Sequence, residues 1–573
     1  SVLNSFSHLS AEVGLARCVV YHVGEDLALF DPLLGGEAME RSLATKRETI
    51  AAEAFPALTL LETTRRLMVD ILPLVYQLGD LDWWRMPDDK RAALQAMEGA
   101  IVRDCDRELD LAVARTLRTL DGFHFARVDA DVWRNVYQHY LPGEERQRLG
   151  GFYTPEALVE FILDVAGYVP EAENLCKKTI LDPACGSGAF VSIATARLLD
   201  HLARPMPCHP EVSGSPKRLP EWQTQQAMLD VVFSNIHAID VHLFAAFLTT
   251  LNLTFLLLPH YAAVRRRNPN FPLALQVFSA DSLEKPDEQS IRPDMFAQLN
   301  LRIQLTAESF ARYRALLGKR FDLVVGNPPW GGVLTGPLAP VYDEAKKARF
   351  KHEYPNAASG KYDIYGLFME RGIHLLANGG RYAMVTQDTY SDKEWAQKVR
   401  KLLATRTQMR HIVDLNPFGQ LFFSAMNTPA VIVFDNQPPR DGSFLGATTI
   451  STKFSEDGKE QRHAYVLRTI RGALAALSGR RRVASQDFCA ATRLSLRMLR
   501  DTAESGWDLR PHRAAPPYKP GWLRVTNILK PRQGVTPGGC LDVFLMTDQV
   551  GQEETLDALH QQLGRLAWFQ ALG

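Results

Sequence analysis

The sequence has no paired cysteines, no unbroken apolar run of membrane length, no net charge and no internal repeat. Each absence closes off a class of protein. The seven cysteines (Cys18, Cys105, Cys176, Cys185, Cys208, Cys489, Cys540) are scattered, without a CxxC pair or zinc-type spacing. Neither a disulfide framework nor a metal site is expected; such a set suits reduced thiols in the cytoplasm. The most apolar stretch, Phe244 to Pro259, is interrupted by Thr249, Thr250, Asn252 and Thr254. It reads as a buried helix, and no membrane association is expected. No signal peptide is evident, and a start at Ser1 rather than methionine suits a processed or trimmed piece. Basic and acidic residues balance at 65 each, so no global field draws in nucleic acid. Phosphate contact then falls to local clusters, Arg265 to Arg267 and Arg480 to Arg482, unless these are solvated surface.

Two catalytic signatures are also missing. The glycine turn at Gly186 and Gly188 lacks a following Lys-Ser/Thr, which argues against a nucleoside triphosphate. The Asp…Glu-x-Lys pattern of a metal-dependent nuclease is not found in the N-terminal region. Glu344-Ala345-Lys346 has the right letters but reads as a solvated helix face.

What is present describes a globular chain of two to four domains: 573 residues, 46% hydrophobic and 23% charged. Residues 1–135 carry helix-period patterns, such as Ala57 to Leu78 and Leu94 to Leu120, and state no chemistry. Residues 136–440 alternate helical segments with short β-type runs: Thr179–Leu181, His237–Ile239, Leu275–Phe278, Leu323–Val325, Tyr382–Val385 and Ala430–Phe434. That alternation predicts an α/β domain with a doubly wound, Rossmann-like sheet, carrying a Pro/Ser/Gly-rich surface insertion at about 204–220. Residues 441–573 are less regular and read as a target-recognition or helical region, ending as an incomplete domain would. They hold a helical patch from Leu467 to Ser478, a loop-rich stretch with Trp507 and Trp522, and a terminal helix from Gln552 to Leu572.

Chemistry-bearing residues fall at the carboxyl ends of the expected strands. Asp182-Pro183-Ala184-Cys185-Gly186-Ser187-Gly188 follows the first strand and opens a helix. Its glycines let a ligand approach the backbone, and the helix start offers free N–H groups. Cys185 reads as a small filler there. Asp240 ends the second strand, where an acid holds ribose hydroxyls or caps the next helix. Asp281, followed by Ser282, ends the third; it is placed to accept from an adenine amine, or simply turns the chain. Asn327-Pro328-Pro329-Trp330 follows the apolar run Phe321 to Gly326. The prolines remove backbone donors, leaving carbonyl and Asn oxygens as acceptors, and Trp330 offers a stacking face to a base. Alone, this tetrapeptide is a turn. Upstream, Gly150-Gly151-Phe152-Tyr153-Thr154-Pro155 precedes a helix, with Thr154 and Pro155 suited to its cap and first position.

In this order the motifs resemble those of the N6-adenine DNA methyltransferases of the gamma order: an FxTP-like motif, then DPxxGxG, then NPPW, with target recognition last. The look is that of the large methyltransferases of type IIG restriction-modification and BREX- or DISARM-like phage-defence systems, over roughly residues 135–440. The resemblance implies S-adenosyl-L-methionine as cofactor, double-stranded DNA as substrate, and defence-system or specificity subunits as partners. It puts Tyr153, Thr154 and Pro155 at the cofactor's methionine end, Asp182, Ala184, Gly186 and Gly188 in its cradle, and Asp240 on its ribose. Asp281 and Ser282 would meet its adenine. Asn327 and the Pro328 carbonyl would accept from the target amine, with Pro329 and Trp330 completing the loop and Trp330 stacking on the base. Lys361, Tyr362, Asp363, Tyr365 and Phe368 resemble the segment beside the target pocket, although Tyr365 and Phe368 at i, i+3 equally suit a helix's core face. One departure is the longer spacing from the glycine loop to Asp240, made by the insertion.

The implied chemistry is direct, in-line methyl transfer to N6 of a flipped adenine, without a covalent enzyme intermediate. The single Pro-Cys pair, Pro207-Cys208, lies in the insertion and is incidental. Two other readings remain: the same loop acting on RNA or protein glutamine, or a non-catalytic DNA-binding subunit with a vestigial sheet. Intact glycines and NPPW count against the second. The long tail with Trp522, Lys530 and Arg532 favours DNA.

Overall fold

In the computed structural model the described residues are 18, 56–68, 105–121, 154–204, 220–268, 270–284, 307–334, 342–423, 428–440, 444–450, 459–477, 483–486, 489–507, 522–524 and 544–546. The chain divides into two compact units, Ser1–Arg510 and Pro511–Gly573.

The first unit is built on a ten-stranded sheet. Its strands are β1 (Ile180–Asp182), β2 (Ile236–Asp240), β3 (Gln276–Ser279), β4 (Phe321–Gly326), β5 (Leu376–Gln387), β6 (Gln408–Asp414), β7 (Pro429–Asp435), β8 (Phe444–Ile450), β9 (Val483–Gln486) and β10 (Cys489–Ser495). They lie in the order β3-β2-β1-β4-β5-β7-β6-β8-β10-β9. The first five run parallel, and β7 enters antiparallel to both β5 and β6. Every residue of β1 and of β7 is buried, because helices cover both faces of this part of the sheet. Strands buried on two faces are written as apolar runs rather than alternations, which is why they stand out in the sequence. The chain leaves β1 towards β2 and β3 on one side, then returns to β4 on the other. The carboxyl ends of β1 and β4 therefore flank the crevice where the strand order reverses, the ligand-binding position of an open α/β sheet.

The described helices are α1 (Pro56–Met68), α2 (Cys105–Leu120), α3 (Glu156–Val165), α4 (Ala189–Ala203), α5 (Glu221–Asn235), α6 (Leu243–Arg265), α7 (Ala307–Gly318), α8 (Glu344–Glu353), α9 (Ile364–Leu375), α10 (Gln397–Arg406) and α11 (Lys459–Ala476), beside shorter turns. Helices α1 and α2 pack around Cys18, Leu58, Leu61 and Val113, with Asp110 Oδ1 accepting from the Leu58 N–H at 2.9 Å. Helix α6 contains the interrupted apolar stretch. It is long and apolar enough to cross a membrane, yet most of its apolar window is buried against the rest of the protein. Thr250 and Thr254 return their hydroxyls to carbonyls one turn back, and the helix continues past Pro259. Arg266 and Arg267 are exposed just beyond its end. That end leads into β3, so this basic run sits at the edge of the sheet opposite the strand carboxyl ends.

All six strands expected from sequence are present. The expected boundary at 440 is not one, because β8, β9 and β10 continue the same sheet and the compact unit runs to Arg510. Trp507, expected in a loop, is buried and donates its indole N–H to the Leu499 carbonyl at 2.8 Å. In the second unit, Trp522–Arg524 (β11) pairs antiparallel with Phe544–Met546 (β12). The terminal helix expected at Gln552 to Leu572 lies outside the described residues, as does Arg480 to Arg482.

Candidate active site

Asp182 closes β1, and its Oδ1 accepts from the Ala184 N–H at 3.1 Å, turning the chain back towards α4. Gly186 (φ +56°) and Gly188 (φ +93°) follow in the left-handed region that favours glycine. A Cβ at Gly188 would stand 2.9 Å from Thr249 Oγ1, whereas one at Gly186 would meet nothing within 4 Å. The crest of the loop therefore borders open space. From behind, α6 supports it: Thr249 Oγ1 donates to the Gly186 carbonyl (2.8 Å) and Asn252 Nδ2 to that of Ser187 (2.7 Å). Two of the polar residues that interrupt the apolar helix are thus the loop's anchors. From β2, Asp240 Oδ2 accepts from the Gly186 N–H and Oδ1 from that of His242, both at 2.8 Å. The insertion lengthens the sequence between loop and acid without separating them in space.

The loop carries two buried carboxyl groups. Asp182 is 1% exposed and its Oδ2 has no hydrogen-bond partner. Burial first, and Asp240's charge to a smaller extent, push its carboxyl well above the usual range. Burial also raises Asp240, to about 6, against the two N–H groups that it accepts from. The Cys185 thiol is raised by burial and by both carboxylates, which leaves it an inert filler, as expected. Beside Asp240, Val241 is 59% exposed, an apolar side chain left at the rim of the cleft.

At the end of β3, Asp281 Oδ1 accepts from the Leu283 N–H at 2.9 Å. Its Oδ2 is paired with Lys346 Nζ of α8 at 2.8 Å. The expected solvated face of α8 holds for Glu344 and Ala345, but Lys346 is turned inward. Ser282 is buried, and its hydroxyl donates to the Pro183 carbonyl at 2.7 Å, tying this loop to the glycine loop. Arg371 Nε holds the Ser282 carbonyl at 2.9 Å.

At the end of β4, Gly326 has φ +152°, and a Cβ there would lie 2.6 Å from Asp182 Oδ1. Only glycine lets the two loops touch. Asn327 then donates through Nδ2 to Thr154 Oγ1 at 3.0 Å. Thr154 is buried and is not the cap of α3. That position is taken by Pro155, whose carbonyl accepts from Leu158 and Val159. Tyr153 lies outside the described residues. Pro328 is buried and Pro329 partly so. Trp330 is 4% exposed and meets Phe423 edge-to-face, with ring centroids 4.7 Å apart.

The chain beyond Trp330 is stitched to the segment expected beside the target pocket. Val333 N–H donates to the Tyr362 carbonyl (3.1 Å) and Ile364 N–H to that of Gly331 (3.0 Å). Asp363 sits in this pairing, its carboxyl raised to about 6 by burial against one backbone hydrogen bond from Gly331. Lys361 is exposed at the preceding turn. Tyr365 and Phe368 lie on the buried face of α9, as their spacing allowed; the Tyr365 hydroxyl pairs with Thr389 Oγ1 at 2.6 Å and is not presented to the cleft. Phe423 carries no motif. It arrives from the segment between β6 and β7, which only the fold brings to Trp330.

Residues 234–422 match the Eco57I restriction-modification methylase model, and residues 129–219 match the N-6 DNA methylase model. The chain is similar to the N6-adenine DNA methylases. Among curated proteins, the type II methyltransferase M.BstVI of Geobacillus stearothermophilus is 24% identical over 316 residues, 54% of this chain and 46% of that protein. M.PaeR7I of Pseudomonas aeruginosa is 25% identical over 310 residues, 54% of this chain and 43% of that one. The adenine-specific methyltransferase PglX of Streptomyces coelicolor is 25% identical over 385 residues, 63% of this chain but 27% of its own length. The match thus spans less than half the length of these relatives. Among solved structures, the methyltransferase subunit of a type I restriction-modification system from Streptococcus thermophilus covers 88% of this chain and 98% of its own, at 13% identity and a TM-score of 0.46.

Proposed function

We propose that this protein is a cytoplasmic, site-specific DNA methyltransferase that transfers a methyl group from S-adenosyl-L-methionine to N6 of a flipped adenine, in restriction-modification or phage defence. The observation that carries the reading is the contact of Asn327 with Thr154, beside the contact of Gly326 with Asp182. Together they join a base-holding loop to a cofactor loop at the sheet's reversal point.

The chain's residues fit the cofactor. Gly186 borders open space that a Cβ would fill, and Asp182 holds a buried, unpartnered carboxyl oxygen beside the same loop. Asp240 is positioned at the same loop for ribose hydroxyls, Val241 offers an apolar rim to a purine face, and Asp281 stands at the next strand end. When bound, S-adenosylmethionine supplies a methyl group on a sulfonium. Thr154 and Pro155 border its methionine end, with Ala184 and Gly188 shaping the loop around it. Ser282 acts through its bridge to Pro183.

Asn327 turns its amide nitrogen to Thr154, which leaves the amide oxygen directed away from it. That oxygen and the Pro328 carbonyl accept the two hydrogens of the target amine and favour sp³-like character at N6, exposing its lone pair. Trp330, backed by Pro329 and joined by Phe423, supplies aromatic faces for a base taken out of the stack. Lys361 and Asp363 border that pocket, while Tyr365 supports it from the core. Positioning then does most of the catalysis, and no nucleophile is required from the protein.

The deciding assay is transfer of labelled methyl from S-adenosylmethionine to unmethylated duplex DNA, followed by nucleoside analysis for N6-methyladenine, with Asn327→Ala as control. Label in RNA or protein, and none in any DNA, would transfer the reading to those substrates.

A further inference from the structure

We propose that Lys346 is a positioning residue of the cofactor site, holding Asp281 as the acceptor that reads the 6-amino group of the cofactor's adenine. The inference rests on the methyltransferase reading above.

Lys346 stands in the first turn of α8, where Asp343 Oδ1 caps the helix by accepting from the Lys346 N–H at 2.7 Å. Its neighbours Glu344 and Ala345 face solvent, yet only 14% of the Lys346 side chain is exposed, the same fraction as for Asp281. The ammonium pairs with Asp281 Oδ2 at 2.8 Å, lies 3.5 Å from Glu284 Oε1, and rests over the Tyr342 ring at 5.2 Å. Arg349 takes Glu284 Oε1 at 2.8 Å from the next turn. A lysine enclosed to this degree gives up hydration and side-chain freedom, which costs stability unless the partner needs the charge.

Asp281 is such a partner. Glu284 lies three residues away in the same loop, and Asp240 is near enough for the charge of Asp281 to act on it. Without a cation, like-charge repulsion would turn the Asp281 carboxylate towards solvent. With Lys346 on Oδ2 and the Leu283 N–H on Oδ1, both oxygens are fixed in direction. Each still has a second lone pair for a ligand donor. An exocyclic amine is such a donor; a purine without that amine offers none, and leaves the fixed carboxylate unsatisfied on that side. Lys346 thereby acts on the ligand through Asp281, from a segment that leads back to the Trp330 loop.

The test is calorimetric binding by the whole protein of S-adenosylhomocysteine and of the same molecule with purine riboside in place of adenosine. Wild type is expected to prefer the amine-bearing ligand by roughly tenfold. In Lys346→Met the S-adenosylhomocysteine affinity falls by about that factor and the preference shrinks towards one. Lys346→Arg restores much of both. A Lys346→Met protein that binds both ligands more weakly but keeps the wild-type preference would show a merely structural helix anchor and overturn the proposal. So would a wild-type protein that binds both ligands equally. If wild type binds neither ligand, the methyltransferase reading itself fails, and this inference with it.

Discussion

The Asn327 amide nitrogen donates to Thr154 Oγ1 at 3.0 Å, across 173 residues of sequence. This hydrogen bond holds the Asn327 side chain in place at the end of β4. An Asn side chain rotates freely about its last bond, and its oxygen and nitrogen have opposite hydrogen-bonding character. The Thr154 hydroxyl can donate as well as accept, so it fixes where the amide lies; on the proposed reading, the donors of the target amine then select the oxygen.

Removing the hydroxyl while keeping the shape should therefore cost catalysis more than folding. Thr154→Val is expected to lower the single-turnover methylation rate by roughly tenfold, the size of one hydrogen bond of this kind. Thr154→Ser keeps the oxygen and should recover most of the rate. A full rate in Thr154→Val, with any loss confined to Thr154→Ser, would mean that Thr154 acts through its methyl group or its backbone instead.

Gly326 and Gly186 separate a stability role from a binding role. A Cβ at Gly326 collides with Asp182 Oδ1 at 2.6 Å on a backbone with φ +152°. Gly326→Ala should cost about 2–3 kcal/mol of stability, from strain and from a displaced buried carboxylate. At Gly186 a Cβ meets nothing, so Gly186→Ala should cost only about 1 kcal/mol, for the left-handed φ. On the proposed reading, its methyl group would instead stand where the cofactor approaches. Thermal melts should then show a large shift for Gly326→Ala and a small one for Gly186→Ala, while S-adenosylmethionine affinity falls at least about tenfold in the latter.

Cofactor binding should depend on pH through Asp240, whose carboxyl is raised to about 6 by burial. The sign follows from which form the ligand prefers. Ribose hydroxyls donate to the ionised carboxylate, so binding below pH 6 must expel the proton that the free protein holds. Affinity is expected to be flat above that value and to fall by up to about tenfold per unit below it. Calorimetric titrations between pH 5 and 8 should show the step in wild type, and Asp240→Asn should bind weakly without the step near pH 6. Should the step persist in Asp240→Asn, another group carries the proton.

The sequence made some of this site legible and hid the rest for physical reasons. Strands buried on both faces appear as short apolar runs, so β1, β2, β3, β4, β5 and β7 were all visible, and their terminal residues followed. β6, β8 and β10 mix Gln, Arg, His, Gly, Thr and Ala with their apolar positions. They belong to the sheet because an edge was there to pair with, which no local pattern records. Lys346 looked like part of a charged helix face because its partner, Asp281, lies 65 residues upstream. Thr154 looked like a helix cap because its residue type suits one; the structure gives that place to Pro155 and its hydroxyl to Asn327. Tyr365, assigned to the base pocket by resemblance, followed instead its helical spacing with Phe368 into the core.

Phe423 is the site residue least visible in the sequence, and its contact with Trp330 makes a specific prediction. Its ring lies 4.7 Å from Trp330 at an interplanar angle of 62°, just ahead of residues 424–427, which fall outside the described set. If the two rings receive the flipped base, truncating one should weaken the flipped state by the worth of one stack, about 1–3 kcal/mol. Phe423→Ala is then expected to bind S-adenosylmethionine as wild type does and to raise the KM for duplex DNA by roughly tenfold. A duplex with 2-aminopurine at the target position gives the direct readout, because the probe brightens on leaving the stack. Wild type should show that rise on binding, Phe423→Ala much less of it, and Phe423→Tyr most of it. An undiminished rise in Phe423→Ala, with unchanged KM, would leave Phe423 as packing for Trp330 alone.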